Sequence, residues 1–225
     1  MVIEPQFKEA RRFRENRALV KVRDGWGYIN KSGTFMIKPI FDSGGNFENG
    51  IAKIEANNGY GYIDTLGNFV IKSIYPFIGP FVDSIARVRV DGGWKYVNMR
   101  GEILSKKSFS NAEDFSDHTA RVRDTALTWG YINESMEWII KPCFENGQDF
   151  INGIARVRQG LSWYFIDKTG KHIFDNKEFE KAEDFSNGLA RVRTRKGWGY
   201  LKENGEWLIQ PQFEYAVTSK VFTTS

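Results

Sequence analysis

Apolar and polar residues alternate over short runs along this chain, and the run at residues 185–213, FSNGLARVRTRKGWGYLKENGEWLIQPQF, displays the pattern most fully. In LARVR (189–193), Ala190 and Val192 fall on one face and Arg191 and Arg193 on the other, because successive side chains of a strand point to opposite sides. WGYL (198–201) is aromatic and apolar, and WLIQ (207–210) follows the polar stretch Lys202, Glu203, Asn204, Gly205. The connection at 194–197 is short and polar, and the Asn-Gly pair tolerates a left-handed backbone. The pattern predicts a β-meander of three strands. Pro211 removes a backbone donor, so it ends the third strand or keeps it at a sheet edge.

The same unit recurs along the chain. Phe occupies positions 13, 47, 81, 115, 150 and 185, a period of 34 or 35 residues. Six residues before each stands an aromatic: Phe7, Phe41, Tyr75, Phe109, Phe144 and Phe179. The aromatic opening the second strand recurs as Trp26, Tyr60, Trp94, Trp129, Trp163 and Trp198, and the turn after that strand carries Gly33, Gly67, Gly101, Ser135, Gly170 or Gly205. Marks kept in step through six copies identify a tandem array.

These residues, FxNGxAxVR, then WGYI, a polar turn with Gly, and an apolar strand closing in Pro, resemble the WG-repeat (KWG) family, which is largely bacterial. The resemblance runs from Val2 to Ala216. Lys95 and Tyr164 replace the Gly of the WG pair, Tyr60 replaces its Trp, and Ser135 replaces the turn Gly. The unit at 101–109 has lost its Pro and carries Ser105, Lys106 and Lys107, which weakens its third strand. What the resemblance implies is a β-rich repeat module of interaction type, with no catalytic residues to carry over.

One repeat domain over 1–225 accounts for the length, since no Gly-, Ser- or Pro-rich linker interrupts the period. A three-stranded unit cannot bury both faces alone, so neighbouring units must pack on each other. Six blades closing into a β-propeller-like ring is the favoured arrangement, because closure removes exposed edges; an open β-solenoid is the alternative. MVIEPQF at 1–7 matches the closing strand WLIQPQF, so residues 2–7 supply an extra closing strand. All six Phe anchors are expected to be buried.

Composition narrows the function classes. No run approaches the ~18 apolar residues of a membrane helix, so no membrane partner is expected. The N-terminus lacks a basic start and an apolar signal core, which leaves a cytoplasmic address. A single cysteine, Cys143, excludes a disulfide framework, and it sits where other copies carry Ile40, Ile74 and Gln212. Two histidines, His118 before a first strand and His172 in a third strand, occupy unrelated repeat positions, so neither a catalytic triad nor a zinc site is indicated. Residues 30–33 and 167–170 read as hairpin turns and not as calcium loops. The Gly-x-Gly pairs lack a third Gly and a following helix, so they read as small residues that let a neighbouring sheet come close. No cofactor, metal or catalytic residue is therefore assigned.

The one chemical feature that accumulates is basic. After the Ala of each first strand, the +1 and +3 positions carry Lys53, Arg87, Arg89, Arg121, Arg123, Arg156, Arg158, Arg191 and Arg193, with Lys21 in the first copy. Such a belt could hold phosphates or acidic peptides. It could equally pair with carboxylates of the preceding loops, Glu48, Asp83, Glu113, Asp114, Asp149, Glu183 and Asp184, and a net charge of only +4 favours that reading. The sequence thus points to a non-enzymatic scaffold binding a protein partner through uneven loops at 76–80, 124–128 and 175–178. Polyanion or nucleic-acid binding through the belt is the alternative, and sugar binding by exposed aromatics a weaker one; the recurrence of an aromatic at the same strand position in every copy favours core packing.

Overall fold

A computed structural model of the chain describes residues 6–23, 25–124, 127–175 and 177–214. Among them every regular element is a β-strand, in six antiparallel sheets, and there is no helix. The chain divides into two compact units, Met1–Phe109 and Ser110–Ser225, each containing three of the sheets.

In the first unit one sheet has the order Glu9–Ala10, Ala18–Val22, Gly25–Ile29, Phe35–Phe41, and the next repeats it as Ser43–Gly44, Ile51–Ala56, Gly59–Asp64, Phe69–Tyr75. The third is a hairpin of Ile85–Val90 and Gly93–Asn98. In the second unit the orders are Asn111–Ala112, Thr119–Arg123, Trp129–Asn133, Trp138–Phe144; then Asn146–Gly147, Ala155–Gln159, Ser162–Ile166; then Lys181–Ala182, Leu189–Thr194, Gly197–Lys202, Trp207–Phe213. None of the sheets closes on itself, as in an open array and equally in the blades of a ring.

Two corrections to the three-stranded unit follow. A two-residue strand adds to the outer side of most first strands, as where Ser43 and Gly44 pair with Glu55 and Ile54. The third and fifth copies, conversely, have no regular closing strand. In the third, only bridges Val97↔Ile103 and Trp94↔Phe109 mark its course; in the fifth, Ile166↔His172 and Trp163↔Phe179 do. His172 accordingly lies at an isolated bridge and not in a strand. The extra strand expected at 2–7 falls, apart from Gln6 and Phe7, outside the described residues, as do Thr125 and Ala126 of the loop at 124–128 and Asn176 of the loop at 175–178.

Alternation in the first strands works as expected: Ala52 and Ile54, Ala86 and Val88, Ala120 and Val122, Ala155 and Val157, and Ala190 and Val192 are all buried. Within each unit no backbone ladder joins one repeat's sheet to the next, so side chains must do it. The second-strand Tyr does so twice over. Tyr28 meets Phe47 of the next copy edge-on at 4.8 Å and donates its hydroxyl to the Gly45 carbonyl at 2.7 Å. Tyr62 treats Phe81 and Gly79 the same way, at 5.0 and 2.9 Å, and Tyr131 treats Phe150 and Gln148 so at 4.7 and 2.6 Å.

This pairing explains why the anchors differ. Phe47, Phe115 and Phe150 are buried, Phe81 and Phe185 are partly covered, and Phe13 is 38% exposed. Phe13 was expected in the core, but among the described residues no second-strand Tyr lies against it as Tyr28 lies against Phe47.

The Gly of the WG pair has a specific cause. In the first sheet Trp26 pairs with Phe41 and Tyr28 with Ile37, so Gly27 alone opposes residues 38–40 of the closing strand, a bulge. A Cβ on Gly27 would stand 2.7 Å from the Ile37 carbonyl oxygen and from the Pro39 nitrogen; on Gly130 it would stand 2.6 Å from the Ile140 oxygen and 2.7 Å from the Pro142 nitrogen. Gly61 and Gly199 face their own bulges in the same way. The small residue therefore accommodates the closing strand of its own sheet and not, as the sequence suggested, a neighbouring sheet. Pro39, Pro142 and Pro211 do not end that strand; they sit within the bulge on the sheet's outermost strand, where a missing N–H breaks no ladder. Lys95 and Tyr164 replace this Gly in the two copies that lack the regular closing strand.

The turn after the second strand holds one more adjustment. Gly33, Gly67 and Gly170 have φ of 84, 88 and 83°, and in the fourth copy the equivalent residue is Met136, φ 63°, whose N–H donates to Asn133 as that of Gly33 does to Asn30. Met136, and not Ser135, stands in for the Gly, because the preceding loop is one residue longer.

Two predictions follow from this packing. Phe150→Ala should cost about 3–5 kcal/mol in urea unfolding, and Phe13→Ala under about 1 kcal/mol, since only the first empties a packed site; equal costs would refute the pairing of anchors with preceding tyrosines. Gly130→Ala should cost at least about 1–3 kcal/mol, as overpacking against backbone does, and an unchanged urea midpoint would refute the bulge argument.

Candidate functional site

The first strands place the basic residues in two rows, because +1 and +3 share a face. In the +1 row each cation lies over the aromatic that opens the second strand beside it. Lys53 lies 4.8 Å from the Tyr60 ring centre, Arg87 5.1 Å from Trp94, Arg121 4.5 Å from Trp129, Arg156 5.0 Å from Trp163 and Arg191 4.8 Å from Trp198. The cause is register: Arg191 pairs with Tyr200 and Arg193 with Trp198, so the +1 side chain reaches diagonally over the indole.

From there Lys53, Arg121 and Arg156 reach the next copy. Lys53 donates to the Ile78 carbonyl at 2.5 Å, Arg121 to the Gly147 carbonyl and Arg156 to the Ala182 carbonyl. Ile78, Gly147 and Ala182 are equivalent residues, one repeat further on. Carboxylates of the anchor loops complete the pairing. Arg121, which is buried, stands 3.4 Å from Asp149 of the next copy and 3.8 Å from Glu113 of its own. Arg156 pairs with Asp184 at 2.6 Å, and Arg191 with Glu183. Burial pushes the Asp149 carboxyl above its usual range although the Arg121 charge pulls it down.

The +3 row is different. Arg89, Arg123, Arg158 and Arg193 lie towards the hairpins: Arg123 donates to Leu127 at 2.5 Å, Arg158 to Gly160 at 3.1 Å, and Arg193 stands 3.5 Å from Glu180. Arg89 is exposed beside Trp94 at 5.4 Å. The nine candidate residues thus form, within each unit, an inner row stacked on aromatics, of which Lys53, Arg121 and Arg156 also bridge to the next copy, and an outer row towards the hairpins.

Trp26 and Trp129 are buried, whereas Tyr60, Trp94, Trp163 and Trp198 are half-buried under their cations. His118 occupies the anchor turn, φ 62°, and its Nδ1 lies 2.9 Å from Glu134. His172 stacks on Tyr164 at 4.4 Å. The turns at 30–33 and 167–170 are closed by the side chains of Asn30 and Asp167, each accepting backbone N–H groups, as hairpin turns require. Cys143 is exposed on its closing strand, at a place shared with Ile40 and Ile74, and partial burial raises its thiol pKa.

Sequence reasoning missed the anchor turns as contacts between copies. The residues two and three after each Phe have positive φ, as in Glu15 and Asn16, Asn49 and Gly50, and Asp117 and His118. Where the first is acidic it can accept the N–H of the next copy's turn Gly. Glu15 accepts from Gly50 at 2.9 Å and Asp117 from Gly153 at 2.6 Å. Lys168 adds an ion pair to Asp117 at 2.9 Å. The signal was present as an acid in place of the Asn of FxNG.

Geometry of this kind defines a tandem array of Trp-Gly meanders stitched by side chains. The chain belongs to the WG containing repeat family, whose model matches residues 1–25, 26–60, 60–94, 129–160, 165–197 and 198–219. The unmatched stretch between 94 and 129 is the one where Lys95 replaces Gly and the closing strand is lost. No curated protein matches the chain. Among solved structures it is similar to a eukaryotic initiation factor, at 11% identity over 94% of this chain and 67% of that one, TM-score 0.50. It is also similar to the computationally designed Ika8 protein, at 13% identity over 95% and 77%, TM-score 0.45, and to BamB from Moraxella catarrhalis, at 9% over 89% and 74%, TM-score 0.42. Identities this low speak of fold alone.

For Asp117, burial alone would raise the carboxyl, but the hydrogen bond from Lys168, the Gly153 N–H and the Lys168 charge hold it below the usual range. A depressed folded pKa contributes stability above the unfolded value, about 3.9, which is lost as pH falls through the folded value. Asp117→Asn should therefore lower the urea midpoint at neutral pH, and the gap from the parent should shrink under acid. A gap that widened on acidification would contradict the assignment.

Proposed function

We propose that this chain is a non-enzymatic WG-repeat scaffold that binds another protein. The observation carrying this reading is the engagement of the inner basic row. Guanidinium groups of Arg121, Arg156 and Arg191 that are stacked on indoles and paired with carboxylates are poorly placed to exchange those partners for phosphates. The same cations cover the second-strand aromatics, which weighs against sugar stacking.

What distinguishes the surface instead is apolar. In the first unit Ile40 and Ile74 are 67% and 68% exposed, each on the outermost strand of an open sheet. An unpaired edge with aliphatic side chains is a template for another chain.

Polynucleotide gel shifts over a salt series, run beside affinity capture from the native host, test the reading. A captured protein that is lost, by about tenfold or more, with Ile40→Glu plus Ile74→Glu and kept with Arg89→Glu plus Arg158→Glu supports it. Nucleic-acid binding that persists near ~150 mM salt and falls steeply above it would favour the polyanion alternative and overturn the proposal.

A further inference from the structure

The fifth repeat, like the third, lacks a regular closing strand, and beside the sixth it borders a groove of about 680 Å³. A regular closing strand beside Ser162–Ile166 is replaced by two isolated bridges, with a reversal at Phe174 and Asp175, φ 76 and 52°. Where Ile40, Ile74 and Cys143 stand in other copies, this one has Glu178. On the far side is the closing strand Trp207–Phe213, outermost in its sheet, and the hairpin carrying Arg195 and Lys196.

We infer that this groove receives a short extended peptide segment of a partner, carrying acidic side chains beside aliphatic ones. The inference rests on the scaffold reading above and names the chemistry of what such a scaffold holds. Charge decides the sign. Both acids of the groove already have partners: Glu178 accepts from the Ser162 hydroxyl at 3.2 Å, and Glu180 lies 3.5 Å from Arg193. The cations Arg195 and Lys196 are exposed, and neither side chain has a hydrogen-bond or ion-pair partner among the described residues. Glu180 is offset by Arg193, whereas the Ser162 hydroxyl leaves the charge of Glu178 standing, so an incoming carboxylate meets two unpaired cations, Arg195 and Lys196, against one acid.

Shape decides the rest. Leu161, 87% exposed, stands at the rim, and the groove's apolar lining is Phe179, Trp207 and Pro211, with the two rings edge-on at 6.3 Å. The volume lies within the ~300–1,000 Å³ typical of clefts that hold small ligands, which accommodates a few side chains but no folded domain. An outermost strand can pair with an added strand, and Pro211, lacking an N–H, keeps that pairing short.

Fluorescence anisotropy with the whole 225-residue chain tests this, using labelled peptides in which Leu alternates with Glu, and matched peptides with Gln or Lys in place of Glu. The Glu peptide should bind about tenfold or more tightly than the Gln peptide, and the Lys peptide should not bind. Arg195→Glu with Lys196→Glu should abolish that preference, and Leu161→Ser should weaken the Glu peptide severalfold; all three are surface changes, and thermal melts check the fold. Ile40→Glu with Ile74→Glu should leave peptide binding unchanged. Equal binding of the Glu and Gln peptides, no binding of either, or indifference to the double charge reversal would overturn the groove. Those results leave the scaffold reading to its own test, capture of a partner that depends on Ile40 and Ile74.

Discussion

The fold depends on one contact made again and again: a second-strand tyrosine laid against the phenylalanine of the next copy, its hydroxyl on that copy's backbone. Within each unit the sheets share no ladder, so cohesion rests on side chains that cross from one sheet to the next. The ring contact supplies apolar burial, and the hydroxyl supplies direction, because only one register brings Tyr28 to the Gly45 carbonyl or Tyr131 to that of Gln148. Burial pushes the phenol pKa of both further above the ordinary tyrosine value, so each keeps the proton it donates. The fifth copy shows the cost of losing the hydroxyl and how it is offset. Phe165 cannot donate, and it is packed by Phe174, Phe179 and Phe185 at 5.6, 5.8 and 4.9 Å.

A second constraint sits inside each sheet. The bulged closing strand needs room opposite the residue after Trp, and a side chain there would meet backbone atoms that cannot rotate away. Gly and bulge therefore stand or fall together. Lys95 and Tyr164 are possible because nothing regular lies opposite them, and Gly61 is retained although its copy has Ser73 in place of Pro. The bulge, not the proline, is what requires glycine.

This bears on what a reader of the sequence can recover. The period, the alternation of LARVR, the polar turns and the all-β class were legible because each is a local rule with a fixed spacing. The Gly-x-Gly pairs were legible as a need for closeness, but their partner was misplaced, since a bulge depends on pairing between strands and leaves no mark on either alone. Phe13 was misjudged because burial of an anchor depends on a tyrosine laid against its ring, and among the described residues Phe13 has none. The two-residue edge strands carry no pattern of their own; they follow from where the closing strand delivers the chain. Loss of the fifth closing strand could have been suspected from KHIFDNKEF, which lacks the Pro and replaces the exposed aliphatic with Glu178.

The basic belt shows how a surface pattern in sequence can become an interior one in space. An arginine at +1 looks like a solvent-facing residue because it alternates with buried Ala and Val. Stacking the copies changes that: the face opposite the buried pair becomes the seam, and Arg121 is among the buried charged residues. Burial of such a charge is not a source of much net stability, because desolvation opposes the ion pair, and the upward push on Asp149 despite its arginine is a sign of that opposition. What the arrangement can supply is register. Arg121 and Arg156 each stack on the indole of their own sheet and reach a carbonyl and a carboxylate of the next copy, and a slip of one residue between copies would take both of those partners away. Apolar packing favours adjacent sheets in many alignments; Arg121 and Arg156, each tied to a carbonyl and a carboxylate of the next copy, favour the one alignment seen.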